Sequence, residues 1–159
     1  MKVDEAERTR RRKLLRAHLD AENEHNASAV MATFADGAIM HYNAIPFANA
    51  EAIRAAHEHI GFSRLHGAFA GACNVIDRES FTDLDIVIEG RLCGTHKAAF
   101  MGFAPSGREV ELPFVAFYTF DQSGKLSTER VVMNLGPLLQ MAPASPLSDG
   151  PTQTAGATS

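Results

Sequence analysis

One stretch decides the fold of this chain: "VELPFVAFYTFDQSGKLSTERVVMN", residues 110–134. Two runs rich in aromatic and β-branched residues, 110–120 and 126–134, are typical of strands. The polar segment 121–125 between them contains Gly124, which readily takes the positive φ that a tight turn needs. The stretch therefore predicts an antiparallel hairpin.

Further strands and helices are predicted on the N-terminal side of this hairpin. The segments 74–81 and 85–96 flank a short polar turn and predict a second pair of strands. The predicted elements before them are a helix from Asp4, a second helix at 27–34 after a polar break, a short strand at 37–43 and a helix at 48–60. We therefore expect an α+β fold, in which a strongly curved antiparallel sheet packs against N-terminal helices and encloses a cavity.

The chain is expected to contain one domain and a tail. Its 159 residues suffice for a single hydrophobic core, and we assign residues 1–141 to that domain. Residues 142–159 are rich in Pro, Ser, Gly, Thr and Ala, with little to bury. This composition predicts a flexible tail.

Composition and charge exclude several classes of partner. The net charge is −4, which argues against general binding to nucleic acid or to anionic membranes. The basic run from Arg8 to Arg16 fits a solvated helix face. Cys73 and Cys93 are too few for a disulfide framework and indicate free thiols in a reducing compartment. Without a signal segment or a long apolar run, the expected location is the cytoplasm.

Asn134 ends an apolar strand and requires hydrogen-bond partners, either in the fold or in a ligand. Strand alternation places Arg130, Val132 and Asn134 on one face of the sheet. If that face lines a pocket, Arg130 and Asn134 can together hold a carbonyl, enolate or carboxylate oxygen. Alternatively, Arg130 reaches to the rim and Asn134 caps the following turn.

The histidines offer a base but no metal site. His41, on the short strand, can transfer protons at neutral pH without a pKa shift, or it is a core histidine. His96 either supports the turn that follows it or donates into a pocket. His57 and His59 are two apart on a helix and point about 200° from each other, so that helix does not hold an ion with both. The sequence therefore predicts no metal and no cofactor.

Two blocks of the sequence match a known family. The first is "GTHKAAFMGFAPSGREV" (94–110), with Gly-Thr-His, Phe-Met-Gly, a Pro-x-Gly-Arg turn and a valine-led strand, and the second is "GKLSTERVVMNLGPLLQM" (124–141). Through these blocks the chain resembles the SnoaL-like polyketide cyclase group of the nuclear-transport-factor-2-like superfamily. The resemblance implies a cone-shaped sheet, catalysis without a cofactor, a homodimer and a small hydrophobic ligand.

The second block departs from the family at two positions. Relatives carry a catalytic Asp where this chain has Asn134, and a Trp where it has Arg130. An amide does not take a proton at neutral pH, so the family's own acid/base step is in question. We therefore assign proton movement to His41, and oxyanion positioning to Asn134 and Arg130. The expected substrate-binding residues are His96, Met101, Phe117, Tyr118 and Val132.

The leading hypothesis is a cofactor-independent enzyme that cyclises or isomerises a small polyketide-, terpenoid- or steroid-like carbonyl compound, in the lyase or isomerase class. A second hypothesis is a non-catalytic binding or assembly module with the same fold. A third is an epoxide or ester hydrolase, which needs a carboxylate beside a water, and its candidates are Asp36, Asp85 and Glu89.

Overall fold

The helices and strands follow the order that the sequence pattern predicts, with one short strand added before the third helix. The computed structural model describes residues 3–65 and 67–139, so the expected tail at 142–159 lies outside the described residues. The helices are α1 (Glu5–Asn23), α2 (Ala27–Ala32) and α3 (Ala50–Ile60), and a short 3-10 helix spans Gly136–Leu138. The strands are β1 (Phe34–Tyr42), β2 (Ile45–Phe47), β3 (Phe69–Phe81), β4 (Asp85–His96), β5 (Glu109–Phe120) and β6 (Leu126–Met133).

The ends of the helices are fixed by local chemistry. Asp4, Asn26 and Asn49 precede α1, α2 and α3, and each side chain accepts the backbone N–H three residues further on. Gly61 ends α3 with φ +130°, and a Cβ there would lie 2.4 Å from the backbone oxygen of Phe69. A residue without a side chain is therefore required where the chain leaves α3 for β3.

The six strands form one mixed sheet in the order β2-β1-β6-β5-β4-β3. The antiparallel pairings predicted for β3, β4, β5 and β6 are confirmed, but β1 pairs with β6 in parallel, as in the register of His41 with Arg130. The direction of that pairing was missed because no turn joins the two strands, so nothing local sets it. Strand β2 was missed as well, since only the strand at 37–43 was expected between α2 and α3, whereas Pro46 of β2 pairs with His41.

One face of the sheet carries the core. Alternate residues of β5 from Val110 to Phe120 are buried, and Val131 and Met133 of β6 are buried beside them. Register shifts within β3 and between β1 and β6 mark irregular pairing of the kind that bends a sheet. Leu15 and Leu19 of α1 and Ile53 and Ile60 of α3 belong to the same buried core. The fold is therefore the expected α+β arrangement, with the helices packed on the concave face.

No helix among residues 3–65 and 67–139 is both long and apolar enough to cross a membrane.

Candidate functional site

Four ionisable side chains meet in the core between the helices and the sheet. They are His18 and Glu22 of α1, His57 of α3 and Glu129 of β6, and none of the four residues is more than 2% exposed. One nitrogen or oxygen atom from each residue lies within 4.8 Å of the corresponding atoms of the other three. Charged residues are rarely buried this deeply without a specific partner, so this His–Glu cluster is the first candidate for a functional site.

The contacts within the His–Glu cluster run from each imidazole to both carboxylates. Nε2 of His57 lies 3.3 Å from Oε1 of Glu22 and 3.6 Å from Oε2 of Glu129. Nε2 of His18 lies 3.6 Å from each of the same two oxygens. The two nitrogens and two oxygens thus alternate around one small volume.

The local sequence explains why these side chains point inward. His18 and Glu22 are four residues apart in α1 and therefore share a helix face, the face that also buries Leu15 and Leu19. Glu129 alternates with the buried Val131 and Met133 along β6. The functional side chains occupy positions that the hydrophobic pattern assigns to the core.

The outer hydrogen bonds of the histidines turn both Nε2 atoms into the cluster. Nδ1 of His57 donates to the carbonyl of Ile53 at 2.8 Å. The hydroxyl of Thr33 donates to the carbonyl of Val30 at 2.6 Å, so it accepts from Nδ1 of His18, which lies 2.8 Å away. Because Nδ1 of each ring is the donor in these bonds, Nε2 is the ring nitrogen that faces the carboxylates.

The carboxylate of Glu22 is held from outside in the same way. Its Oε2 accepts a hydrogen bond from Nδ2 of Asn74 at 2.8 Å, which leaves Oε1 facing the two histidines. By contrast, Oε2 of Glu129, Nε2 of His18 and Nε2 of His57 are buried without any hydrogen-bond partner among the described residues. Three unpartnered polar atoms directed at one point are unusual, because such atoms normally cost stability.

Burial and mutual charge shift the pKa values in this cluster. Burial raises the pKa of Glu22, but the charge of His18 and contacts with His18 and His57 outweigh burial and lower it to about 2. Burial lowers the pKa of His57, but its contacts with Glu129 and Glu22 raise it to about 10. An ionised carboxylate beside a charged imidazole is therefore the favoured state of this pair at neutral pH.

A small cavity adjoins the cluster. Its volume is about 20 Å³, which is room for roughly one water molecule. Glu22, Glu129, Tyr42 and Tyr118 form its polar wall together with Asn74. The apolar wall is formed by Ile60, Phe62, Leu92, Phe114, Val131 and Met133. The lining, apolar with a few convergent polar groups, is of the kind found in small-molecule sites, but the enclosed volume holds only a water molecule.

The two tyrosines remain protonated in this setting. Burial raises the pKa values of Tyr42 and Tyr118 well above 10, and the charges of Glu129 and Glu22 raise them further. The ring of Tyr118 also packs edge-on against His18, with 5.8 Å between the ring centroids. Both phenols are thus potential hydrogen-bond donors beside two carboxylates.

The residues that the sequence singled out as catalytic lie on the opposite, outer face of the sheet. Arg130, Val132 and Asn134 are exposed, and His41 is Arg130's register partner on β1. The Asn134 side chain accepts the backbone N–H of Gly136 at 2.9 Å. Asn134 therefore caps the following turn, which was the alternative interpretation of this amide, and neither Arg130 nor Asn134 lines the cavity.

The expected substrate-binding residues are dispersed. Tyr118 lines the cavity, whereas Phe117 faces the outer side of the sheet opposite Arg130. His96 is buried at the end of β4, where its backbone N–H and C=O bond to Arg108 and Gly107. This placement matches the turn-supporting alternative. Met101 is half-buried, with φ +45° and its sulfur 3.9 Å from Nδ2 of Asn43.

The sequence contained signals for the cluster. The spacing of His18 and Glu22 on an apolar helix face was one signal, and Glu129 between apolar strand residues was another. The sequence analysis looked for metal ligands within a single helix and therefore missed the cluster, because its four side chains come from α1, α3 and β6. Only the packing of these elements brings His57 to Glu22 and Glu129.

Comparison with known proteins agrees with this fold. A family model described as "SnoaL-like domain" matches residues 15–128. Among similar solved structures, one from Jannaschia sp. CCS1, described as a SnoaL-like polyketide cyclase, is 18% identical with a TM-score of 0.69, and the match covers 80% of this chain and 87% of that one. One from Xanthomonas campestris pv. campestris, described as a polyketide cyclase, is 16% identical with a TM-score of 0.71, over 84% of this chain and 99% of that one. TsrD from Streptomyces laurentii is 17% identical with a TM-score of 0.68, over 86% and 95%. No curated protein matches the chain significantly.

Proposed function

The chain belongs to the SnoaL-like domain family, and we propose that it is an enzyme that catalyses proton transfer on a small hydrophobic carbonyl compound, with the His–Glu cluster as its reactive centre. The observation that carries this proposal is the buried, unpartnered Oε2 of Glu129 in a side chain that borders the cavity. Isomerisation and cyclisation both begin with proton removal beside a carbonyl group.

Glu129 is the proposed general base. Its carboxylate borders the cavity, and Oε2 has no hydrogen bond to give up, within the described part of the chain, before it accepts a proton. A general base must have a carboxylate oxygen that can reach the proton it removes, and Glu129 meets this condition by its position at the cavity wall. Glu22 is less suited to the role, since Asn74 holds one of its oxygens and its pKa is lowered to about 2.

Tyr118 and Tyr42 are the proposed donors to the substrate's carbonyl oxygen. Proton removal from the neighbouring carbon places negative charge on that oxygen, and a fixed donor stabilises the charge most effectively in a site that excludes water. Both phenols stay protonated because burial raises their pKa values. In this assignment the roles expected of His41, Arg130 and Asn134 pass to residues on the inner face of the sheet.

The cavity wall sets the substrate class. Phe62, Leu92, Phe114 and Met133 favour an apolar body over a charged one. A volume of about 20 Å³ accommodates no organic substrate, so binding requires this wall to open. The proposed substrate is therefore a compact, uncharged carbonyl compound.

Exchange of α-protons tests the proposal without knowledge of the natural substrate. Small cyclic ketones are incubated with the protein in D2O, and loss of the α-proton signal is followed by NMR. We expect Glu129→Gln to slow the catalysed exchange by about 10²–10⁴-fold, the usual contribution of a general base. Glu24→Gln is the matched control, because Glu24 is exposed at the end of α1. If no ketone exchanges faster with protein than with buffer, or if Glu129→Gln exchanges as fast as wild type, the proposal fails.

Hydrolysis is a second candidate, because the cavity has room for about one water beside Glu22 and Glu129. None of the carboxylates first considered for this reaction, Asp36, Asp85 and Glu89, lines the cavity. Incorporation of ¹⁸O from labelled water into the product of an epoxide or ester probe would favour this candidate over proton transfer.

A further inference from the structure

We infer that His18, Glu22, His57 and Glu129 bind one divalent transition-metal ion, with Zn²⁺ as the best match. This inference concerns the same cluster as the proposed function but goes beyond it, because Oε2 of Glu129 serves as a base only in the ion-free chain and as a ligand only in the ion-bound chain. Its evidence is the geometry of four donor atoms. These atoms are Nε2 of His18 and His57, Oε1 of Glu22 and Oε2 of Glu129.

The separations fit a metal better than direct hydrogen bonds. The four nitrogen–oxygen distances are 3.3–3.6 Å, whereas N–H···O bonds usually measure about 2.7–3.2 Å. Around a tetrahedral zinc ion with bonds of about 2.0–2.1 Å, neighbouring ligand atoms lie roughly 3.3–3.4 Å apart by geometry. The four nitrogen–oxygen distances are close to that edge length, and the nitrogen–nitrogen and oxygen–oxygen separations lie within 4.8 Å.

The unpartnered atoms indicate the same site. Nε2 of His18, Nε2 of His57 and Oε2 of Glu129 are buried and have no hydrogen-bond partner in the described residues. An ion at the centre would satisfy all three at once, together with Oε1 of Glu22.

The outer hydrogen bonds are those of a metal site. Metal-binding histidines commonly donate the other ring N–H to a carbonyl or hydroxyl group, and ligating carboxylates accept a further bond. His57 donates from Nδ1 to Ile53, and Nδ1 of His18 lies against the Thr33 hydroxyl. Glu22 accepts from Asn74. Three of the four ligands are therefore held in orientation from outside.

Charge balance also favours a divalent ion. Two carboxylates carry two negative charges, and in the described residues the ion-pair partners of Glu22 and Glu129 are His18 and His57, with no Lys or Arg. An ion that binds Nε2 of His57 displaces the proton from that nitrogen, and one divalent cation then balances the two carboxylates beside neutral imidazoles. Two imidazole nitrogens in the donor set favour zinc or a neighbouring transition metal over Mg²⁺ and Ca²⁺, which prefer oxygen ligands.

The test is metal binding by the full chain after removal of bound ions with a chelator. Zn²⁺ is titrated by calorimetry, and Co²⁺ is added as a probe because its visible absorption distinguishes tetrahedral from octahedral coordination. We expect one ion per chain, a tetrahedral Co²⁺ spectrum that Zn²⁺ abolishes, and at least 100-fold weaker binding of Mg²⁺. Absence of stoichiometric Zn²⁺ binding by the wild-type chain would overturn the inference, whatever the variants do.

Matched variants locate the ion. His57→Gln should weaken Zn²⁺ binding at least 100-fold, whereas His59→Gln, on the exposed side of the same helix, should not change it. Asn74→Ala leaves all four ligands in place but removes the hydrogen bond to Glu22, and should weaken binding about 10–100-fold. If His57→Gln does not fold, Asn74→Ala and the wild-type spectrum still decide the question. Unchanged binding in both variants contradicts the assignment.

The ketone-exchange assay separates this inference from the proposed function. Exchange by chelator-treated protein that binds no Zn²⁺ would overturn the metal site and support the proton-transfer function. Stoichiometric Zn²⁺ binding, together with no exchange of any ketone by either the chelator-treated or the Zn²⁺-loaded protein, would support the metal site and overturn the proton-transfer function.

Discussion

Glu22 of α1 lies 3.3 Å from His57 of α3, from Oε1 to Nε2, and this contact joins two helices in the interior of the protein. Both side chains are buried. Glu22 also faces His18 of the same cluster, and His57 also faces Glu129. The interior of this SnoaL-like domain is therefore organised around charge as well as around apolar packing.

We predict that Glu22→Gln lowers the free energy of unfolding by about 3–5 kcal/mol, because removal of one partner leaves a buried histidine without its countercharge. Urea denaturation in the presence of a chelator measures the effect without a contribution from bound ions. Glu24→Gln, two residues further along and exposed, should change stability by less than about 0.5 kcal/mol. Equal effects of the two substitutions would show that Glu22 has no special role in stability.

Asn134→Ala should destabilise the protein by about 0.5–1.5 kcal/mol through loss of the hydrogen bond from Gly136. Asn134→Asp keeps an acceptor oxygen at that position and should retain most of the stability. Because Asn134 is exposed on the outer face, we expect no gain of ketone exchange in Asn134→Asp. Thermal unfolding and the exchange assay test both parts, and a large gain of exchange would contradict the placement of the site.

Gly61→Ala should be strongly destabilising, by more than about 3 kcal/mol. A new Cβ would meet the backbone oxygen of Phe69 at 2.4 Å, in addition to the strain of φ +130°. Gly37→Ala is the matched control, because Gly37 has φ +74° but a Cβ added there would have nothing within 4 Å. It should cost only about 1–2 kcal/mol, the usual penalty for a left-handed backbone. Chemical denaturation of both variants should therefore separate steric clash from backbone strain.

Asp121, in the turn between β5 and β6, should titrate below its ordinary pKa of 3.8. Its carboxylate accepts from the Ser123 hydroxyl at 2.7 Å and from the backbone N–H of Lys125 at 3.0 Å, and these bonds lower the pKa of Asp121. Because the folded-state pKa is depressed, the stabilisation is present above the unfolded pKa and is lost as the pH falls through the folded one. Ser123→Ala should raise the pKa, as measured by NMR titration of the carboxyl carbon. An unchanged pKa would show that the hydroxyl bond is not formed in solution.

The local pattern of the sequence predicted most elements of the fold. The hairpin at 110–134, the strands before it and the three helices depend on neighbouring residues, and the resemblance to SnoaL-like proteins implied the architecture in which they pack. The parallel pairing of β1 with β6 was not predictable in this way, since no turn connects them.

The candidate site shows where sequence reasoning reached its limit. Alternation along β6 correctly separated Glu129, Val131 and Met133 from Arg130, Val132 and Asn134, but it did not tell which set faces inward. That choice is made by the helices, because α1 and α3 cover the face that carries Glu129. The sequence by itself determined which side chains share a face, since backbone geometry repeats over a few residues. Only the tertiary structure decided that His18, Glu22, His57 and Glu129 meet, because their contact depends on the packing of three elements that are far apart along the chain.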